Sequence, residues 1–306
     1  MQELPFTGER FTPECVREIW YEHVHRYALA RHLAAGKRVL DVACGEGYGS
    51  AMLAPVAKSV LGVDLSGEAI RHARARYGLL PNLSFDEADA TRAQFAGAPF
   101  DMVVSFETLE HVEAQDELVG GLAAALEPGG FALLSSPDKA EYSDATGHRN
   151  EFHVRELYRD ELLALLGRHF RVVRLYGQRL MFHSAIWAIE GGRGGTLNQT
   201  LHADGRCEAD ALPRPMYYLA ACAQNERDLP ALPGLALFAD AGESVYAHYH
   251  HEIRKNMQAG TLLAEREQAL LAAQASLAEA ERRLRDLESR HAAAPARRRF
   301  WPFGRN

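Results

Sequence analysis

The sequence is poor in cysteine and has no excess of basic residues. Its four cysteines form no C-x-x-C pair and no compact framework: Cys15, Cys44, Cys207 and Cys222. This scarcity suits a reducing compartment, because a disulfide framework needs several closely spaced cysteines. Lysine and arginine number 34 against 41 acidic residues, which gives a formal net charge of −7. Nothing in the overall charge therefore indicates a protein that binds nucleic acid.

Long apolar runs are also missing, and no stretch of the sequence approaches the length of a membrane span. The first residues, MQELPFTGER, are neither basic nor long and apolar, so we expect no signal peptide. We therefore predict a cytoplasmic protein. Apolar residues still occupy 47% of the 306 positions, which is ample for a globular core.

Short apolar runs alternate with more polar, helical stretches between Arg38 and about Phe170. The runs are VLDVA, SVLGVD, LSFDEAD, FDMVVSF and GGFALLSS. This alternation predicts β-α units around a parallel sheet, which is the α/β class. Two later runs, FRVVRLYG and PMYYLAACA, have no long helix between them and are expected to pair antiparallel at one edge of the sheet. The stretch 190–214 between them is rich in Gly, Asp and Asn, which indicates a long loop or an insertion.

The character of the chain changes after about Ile253, where leucines recur every seven residues: Leu263, Leu270, Leu277 and Leu284. With the residues three positions beyond each, they form a seam flanked by Glu and Arg, which is typical of a short coiled coil. A single amphipathic helix packed on the domain explains the same pattern. We divide the chain into a domain over 1–252 (lid helix 12–35, core 36–225), a coiled-coil helix over 253–290 and a basic, aromatic tail over 291–306.

The stretch VLDVACGEGYGSAML begins as a buried strand and continues through a Gly-rich turn into a helix of small residues. Glycines let the backbone approach a ligand closely, and the start of a helix favours partial negative charge. The spacing of Gly45, Gly47 and Gly49 differs from the dinucleotide pattern G-x-G-x-x-G, and Asp41 lies on the strand itself. A carboxylate repels a pyrophosphate but attracts an ammonium group, and S-adenosylmethionine carries both an ammonium and a sulfonium.

Two further carboxylates follow the next strands. Asp64 ends the run SVLGVD, where it can accept hydrogen bonds from both hydroxyls of a ribose. The alternative is that Asp64 caps the following helix, although Ser66 fills that role better. After the third strand, Asp89 can accept a hydrogen bond from an adenine amino group, with Ala90 offering its backbone. Because parallel strands end at the same edge of a sheet, these groups form one constellation with Asp41.

With the motifs VLDVACGEGYG, GVDLS and FDMVVSFETLEHV, the sequence resembles the class I S-adenosylmethionine-dependent methyltransferases from about Phe6 to Cys222. The resemblance implies a Rossmann-like, seven-stranded sheet with a reversed last strand. It assigns the methionine end of the cofactor to the glycine turn, the ribose to Asp64, the adenine to the third strand end, and the cofactor carboxylate to Arg26 or Tyr27. The cofactor contacts it implies are Arg26, Asp41, Ala43, Gly45, Gly47, Asp64, Leu65, Asp89, Ala90 and Phe106. Ala43 departs from the glycine of many members, but alanine is small enough for binding to survive.

The segment SFETLEHV follows the fourth strand and carries Glu107, Glu110 and His111 at positions i, i+3 and i+4. On a helical turn this spacing predicts that all three point toward the cleft. Two carboxylates and an imidazole suit a divalent cation such as Mg²⁺, and the imidazole also suits a catalytic base. The spacing resembles the metal site of ubiquinone-pathway O-methyltransferases and of small-RNA 2′-O-methyltransferases. The alternative is that the glutamate caps the helix while His111 packs beneath the cofactor. We expect Glu110 and His111 to be catalytic.

The segment GHRNEFHVREL follows the fifth strand and is expected over the acceptor side of the cleft. We expect His148, Asn150 and His153 to contact the acceptor. The alternative is that His153 only closes the start of the following helix. Asn150 stands where the small-RNA enzymes have a histidine, which weakens an assignment to RNA methylation. The later cluster AHYHH lies outside the resemblance and has no cysteine at ligand spacing, so we interpret it as an aromatic surface of the last helix.

These features favour an O-methyltransferase. Chains with TGERF-x-PE at the start, NEFHVREL in the middle and a coiled coil at the end resemble enzymes that methylate sugars of cell-surface polysaccharide. The alternatives are a methyltransferase for a quinone, lipid or secondary metabolite, and a non-catalytic scaffold. The expected partners are a glycan or small-molecule acceptor, further copies of this chain joined by the coiled coil, and an anionic membrane face touched by the tail. No nucleic-acid partner is expected.

Overall fold

The computed structural model describes residues 18–92, 95, 97, 99–181, 197, 199–203, 205–209 and 212–293. It divides the chain into two units, Met1–Ala241 and Gly242–Asn306. Several predictions concern segments outside the described residues: Cys15, the start of the lid helix, the motif TGERF, much of the loop 190–214 and most of the C-terminal tail.

Seven strands of the first unit form one mixed sheet in the order β3-β2-β1-β4-β5-β9-β6. The strands are β1 (Arg38–Val42), β2 (Ser59–Asp64), β3 (Leu83–Glu87), β4 (Phe100–Phe106), β5 (Leu126–Pro137), β6 (Val172–Gln178) and β9 (Tyr217–Ala223), with a separate hairpin of β7 (Gln199–Leu201) and β8 (Cys207–Ala209). The helices of this unit are α1 (Glu18–Leu33), α2 (Tyr48–Leu53), α3 (Gly67–Tyr77), α4 (Gln115–Ala125) and α5 (Arg159–Leu166). The predicted Rossmann-like, seven-stranded sheet is confirmed.

The two late apolar runs pair as predicted, because β9 lies antiparallel between β5 and β6. The other neighbouring strands are parallel, and the strand order reverses between β1 and β4. In open α/β sheets a crevice forms outside the carboxyl ends of the strands at such a switch point. This topology places the ends of β1, β2 and β4 around one cleft.

Helices cover both faces of the sheet, so the central strands are apolar on both sides. One core joins alternate residues of β1 and β4, such as Leu40 and Val103, to Leu118 of α4 and Leu166 of α5. The other core joins the remaining strand residues to α1, α2 and α3. The near-continuous apolar runs of the sequence follow from this double burial.

The turn between β1 and α2 uses backbone conformations that favour glycine. Gly45 and Gly47 have φ angles of 57° and 88°, and Ala43 has a φ angle of 59°. A Cβ atom built on Gly47 would lie 2.7 Å from the ring of Phe85 and 2.9 Å from the Cβ of Ala73. Gly47 is therefore required both by its φ angle and by close packing, whereas Ala43 holds a left-handed conformation that costs roughly 1 kcal/mol.

The second unit contains one long helix, α6, over Ser244–Ala293. It begins before the residue 253 expected from the heptads, and the AHYHH cluster lies in its first turns. Leu263, Leu270, Leu277 and Leu284 are all exposed along it, so pairing between copies stays a prediction. Among the described residues, none of the helices combines the length and apolar character required to cross a membrane.

Replacing Gly47 by alanine is expected to destabilise the protein more than replacing Gly36 by alanine. Both glycines have positive φ angles, but a Cβ on Gly36 meets no atom within 4 Å. Each substitution pays roughly 1 kcal/mol for the backbone conformation, and Gly47→Ala adds about 1–3 kcal/mol of overpacking. Urea denaturation measures both free energies of unfolding. Equal losses in the two variants would contradict the assigned packing.

Candidate active site

Asp41, at the carboxyl end of β1, is fully buried and anchors the cleft. Its Oδ1 accepts a hydrogen bond of 2.9 Å from the Tyr27 hydroxyl, and its Oδ2 accepts one of 2.6 Å from Ser50. Burial raises the pKa of Asp41 to about 7, the two hydrogen bonds oppose that rise, and the charge of Asp64 adds to it. A cationic ligand group beside Asp41 would favour the ionised carboxylate.

Gly49, the third glycine of the turn, allows the lid helix α1 to pack closely against α2. A Cβ atom on Gly49 would overlap the ring of Tyr27, so the absent side chain lets α1 approach α2. Tyr27 also contacts the rings of Tyr48 and Phe106 edge to face, with centroids 5.2 and 5.1 Å apart. Tyr27 thus connects α1 to β1, α2 and β4, a role that the sequence pattern did not reveal.

The backbone holds Asp64 in place at the end of β2. Its Oδ2 accepts a hydrogen bond from the amide of Gly45 (2.9 Å), and its Oδ1 accepts one from the amide of Ser66 (2.8 Å). Ser66 caps α3, because its hydroxyl accepts a hydrogen bond from the amide of Ala69. Asp64 is therefore not the helix cap. Each of its oxygens keeps a lone pair for a ligand hydroxyl, and the neighbouring Leu65 is exposed.

Asp89 lies in the turn after β3, where its Oδ1 accepts hydrogen bonds from the amide and the hydroxyl of Thr91. These bonds lower the pKa of Asp89, so an ionised carboxylate acts as an acceptor there. Ala90 beside it is half-buried. Phe106 ends β4 and is buried against Tyr27. The structure brings these predicted cofactor contacts to the carboxyl edge of the sheet.

Arg26 is buried, and its guanidinium is incompletely satisfied. Its Nε donates a hydrogen bond of 2.6 Å to Gln178, its Nη1 lies 3.4 Å from the Glu107 carboxylate, and its Cζ lies 4.6 Å from the ring centre of Tyr217. Within the described residues neither Nη1 nor Nη2 has a hydrogen-bond partner. Two buried donors without acceptors are unfavourable, and a ligand carboxylate would satisfy both at once.

The three residues of the E-x-x-E-H motif do not share one helical face. Glu107 has a φ angle of 52° and precedes the short 3-10 turn Leu109–His111. Its carboxylate accepts a hydrogen bond of 2.6 Å from Ser135 and faces Arg26. The sequence prediction assumed that Glu107, Glu110 and His111 lie on one regular helix. The left-handed backbone of Glu107 breaks this regularity and turns its side chain toward β5.

Glu110 and His111 instead meet His153, from the segment after β5. One ligand atom from each of these three lies within 4.8 Å of the others. The carbonyl of Glu110 accepts hydrogen bonds from the amides of Val154 and Arg155, which holds that segment against the site. Glu110 is buried, its carboxylate oxygens have no hydrogen-bond partner among the described residues, and burial beside Glu107 raises its pKa well above the usual range.

Each histidine is oriented through its Nδ1 atom. His111 donates from Nδ1 to the carbonyl of Phe152 at 3.0 Å, and His153 donates from Nδ1 to Glu156 at 2.6 Å. The Nε2 atom of His153 accepts a hydrogen bond of 3.0 Å from the Asn150 amide. Nε2 is therefore the basic atom of both imidazoles, and a ligand at the Nε2 atom of His153 would have to replace its hydrogen bond from Asn150. Tyr142 stacks on His153 at 5.3 Å, and its edge faces the exposed ring of His148.

Ser50, Ser135, Tyr142, Glu156 and Gln178 also hold the site together, and the sequence motifs did not single them out. Of these five residues only Glu156 could have been found from a sequence motif, because it lies three residues after His153 within NEFHVREL. The three histidines of AHYHH, by contrast, join no group of ligand-capable side chains in the part of the chain that the structure describes.

Comparison with known proteins finds similarity to methyltransferases. Residues 39–130 match the family described as "Methyltransferase domain". The chain is 36% identical over 166 residues to a probable S-adenosylmethionine-dependent methyltransferase of Mycolicibacterium smegmatis, covering 53% of this chain and 63% of that protein. It is 36% identical over 113 residues to a ubiquinone biosynthesis O-methyltransferase of Albidiferax ferrireducens, covering 36% of this chain and 44% of that protein.

The chain thus matches less than two thirds of the length of either relative. A solved putative methyltransferase from Bacillus halodurans superposes with a TM-score of 0.47 at 19% identity, covering 65% of this chain and 98% of that one.

The buried carboxyl of Asp41 is expected to make the stability of the unliganded protein depend on pH. Its pKa of about 7 exceeds the usual 3.8, so between these values the folded chain binds a proton that the unfolded chain lacks. The contribution of Asp41 to the free energy of unfolding is fully present below about pH 4 and is lost as the pH rises through about 7. The slope is up to about 1.4 kcal/mol per pH unit.

Urea denaturation at pH 5 and pH 8 compares the wild type with Asp41→Asn and with Asp86→Asn, at a half-exposed position on β3. Asp41→Asn should gain stability relative to the wild type at the higher pH, whereas Asp86→Asn should follow the wild type. Parallel pH profiles for all three proteins would contradict the raised pKa.

Proposed function

We propose that this protein binds S-adenosylmethionine in the cleft at the ends of β1, β2 and β4 and transfers its methyl group to a hydroxyl oxygen. The observation that carries the proposal is the buried guanidinium of Arg26, with two donors unsatisfied within the described structure. A cofactor carboxylate fits these donors, the fixed Asp64 fits a ribose, and Asp41 fits an ammonium group. The match of residues 39–130 to methyltransferase domains supports the same assignment.

The chain contributes mainly position and proton transfer to this reaction. The acceptor oxygen attacks the methyl carbon, the carbon–sulfur bond breaks, and the acceptor loses its proton. The Nε2 atom of His111 is a suitable proton acceptor, because its Nδ1 atom is committed to the carbonyl of Phe152. Glu110 lies 4.0 Å from that imidazole and stabilises its protonated form when ionised.

The same residues fit a divalent cation. Glu110 supplies a buried carboxylate whose oxygens lack partners among the described residues. His111 and His153 supply imidazoles whose Nδ1 atoms are already bonded to acceptors, and a cation at His153 would replace the hydrogen bond that its Nε2 atom accepts from Asn150. We propose Glu110, His111 and His153 as the ligand set, with Glu107 committed to Ser135 and Arg26. A bound cation would lower the pKa of an acceptor hydroxyl. Two imidazoles favour a first-row transition metal over Mg²⁺.

The acceptor that we propose first is a sugar hydroxyl of a cell-surface polysaccharide. Polar and aromatic side chains surround His153, whose ring lies 5.0 Å from the ring of the proposed base His111: Tyr142, Asn150 and Glu156 contact His153, and His148 contacts Tyr142. Aromatic rings and hydrogen-bonding groups together suit a carbohydrate. A second candidate is a quinone, lipid or secondary metabolite, and the similarity to a protein named as a ubiquinone biosynthesis O-methyltransferase favours it.

Titration calorimetry with S-adenosylmethionine tests cofactor binding. The wild type should bind, and Asp64→Asn should bind at least about tenfold more weakly, because the ribose would lose a charged acceptor. Asp86→Asn is the matched control on the neighbouring strand and should bind like the wild type. A wild type that does not bind S-adenosylmethionine would overturn the proposed function.

A labelling experiment identifies the acceptor class. Cell extracts are incubated with the protein and with S-adenosylmethionine labelled in its methyl group, and the label is measured in each fraction. Label in the polysaccharide fraction, absent with His111→Ala, supports the sugar acceptor. Label only in the solvent-soluble fraction, with no methylated sugar released on hydrolysis, favours the quinone or lipid acceptor. Cofactor binding without transfer to any fraction would instead support a scaffold that retains the cofactor fold.

Binding of Mn²⁺ tests the cation site independently of turnover. Electron paramagnetic resonance of the free ion should show Mn²⁺ bound by the wild type and by Glu113→Gln, at an exposed position next to the site, but at least about tenfold more weakly by Glu110→Gln. Mg²⁺ should compete poorly. Equal binding by both variants would rule out the proposed ligand set.

A further inference from the structure

A largely apolar groove of about 440 Å³ lies between α1 and the β6 edge of the sheet. Its walls include Tyr21 and Leu29 of α1, Tyr176 of β6 and the segment 232–238. The ring of Phe238 contacts the rings of Trp20, Tyr21 and His25 at 5.3–5.8 Å. These contacts make one wall a packed aromatic surface. The volume is that of a small-molecule pocket.

Apolar side chains remain exposed in this groove. Leu237 is 72% exposed and Leu212 is 56% exposed, and both line it. Water contact at leucines grouped within a concavity is unfavourable, and such patches commonly mark ligand sites. A bound apolar group would remove their surface from water, at roughly 25 cal/mol per Å² buried.

A series of contacting side chains connects the groove to the proposed site of methyl transfer. Arg26 lines the groove and also faces Glu107, and its guanidinium stacks on Tyr217. The Tyr217 ring lies 5.9 Å from the ring of Tyr142, which stacks on His153. Arg179 gives a second connection, because it lines the groove and donates a hydrogen bond to Glu141, the neighbour of Tyr142.

The groove is separate from the proposed cofactor contacts. Of those residues only Arg26 lines it, and its described walls include neither the glycine turn nor the ends of β2 and β3. A ligand in the groove would therefore approach the methyl group from the side of β6 and β9. On that side, Tyr217 of β9 contacts Tyr142, which stacks on His153.

We infer that the groove binds the apolar part of the methyl acceptor, so that the acceptor is an amphipathic molecule with its hydroxyl at His111 and His153. The inference rests on the proposed function for the identity of the ligand, but the groove itself can be tested alone. A sugar joined to a lipid and a hydroxylated ring with an apolar chain share this chemistry. The solvent-soluble fraction of the labelling experiment separates them, because only the former releases a methylated sugar on hydrolysis.

A pair of glucosides that differ only in their apolar part tests the groove. Titration calorimetry compares n-octyl β-D-glucoside, below its micelle concentration, with methyl β-D-glucoside. The octyl compound should bind the wild type at least about tenfold more tightly. Leu237→Glu should abolish that difference, because it places a charge in the groove. Leu79→Glu, at a position that is 97% exposed and outside the groove, should preserve it.

Equal binding of the two glucosides, or equal effects of the two variants, would overturn the groove assignment. S-adenosylmethionine is titrated into the same proteins and should bind both variants like the wild type. If it binds while the octyl glucoside does not, the groove inference fails and the proposed function stands. If the octyl glucoside binds while S-adenosylmethionine does not, the proposed function fails and the groove remains an apolar ligand site.

Discussion

The hydrogen bonds that Tyr27 and Ser50 donate to the buried carboxylate of Asp41 join three elements at the centre of the molecule. Asp41 belongs to β1, Ser50 to α2 and Tyr27 to α1, so one side chain connects the sheet, the turn and the lid helix. A buried carboxyl group needs such partners, and here they also fix the approach of α1. The same contacts fix the position of Arg26, because it directly precedes Tyr27 on α1.

Local strain lies on both sides of the strand-order switch. Ala43 follows β1 and Glu107 follows β4, and both have left-handed backbones. Such conformations persist only where the surrounding structure enforces them, and they are frequent near binding sites. At Glu107 the enforcement is visible, since Ser135 accepts a hydrogen bond from the Glu107 amide and donates one to its carboxylate. The two strained residues border the cleft between β1 and β4.

The sheet could be predicted from the sequence because its strands are short apolar runs, and the central ones are buried on both faces. The glycine turn and the carboxylates at the strand ends were also readable, since their positions depend on local spacing and on the parallel topology. The prediction that Glu107, Glu110 and His111 share one helical face was wrong, because the left-handed backbone of Glu107 interrupts the helix that the spacing requires. Contacts such as Tyr27 with Asp41 or His153 with His111 join distant segments, and no local pattern encodes them.

The segment that carries Asn150 and His153 is attached to the site through the main chain, since the carbonyl of Glu110 accepts hydrogen bonds from the amides of Val154 and Arg155. Backbone bonds of this kind do not depend on which side chains the segment carries. The loop can therefore change its composition while keeping its place above the cleft. Side chains that face the histidines can therefore be exchanged without first rebuilding the fold, which makes the segment a natural starting point for redesigning this part of the cleft.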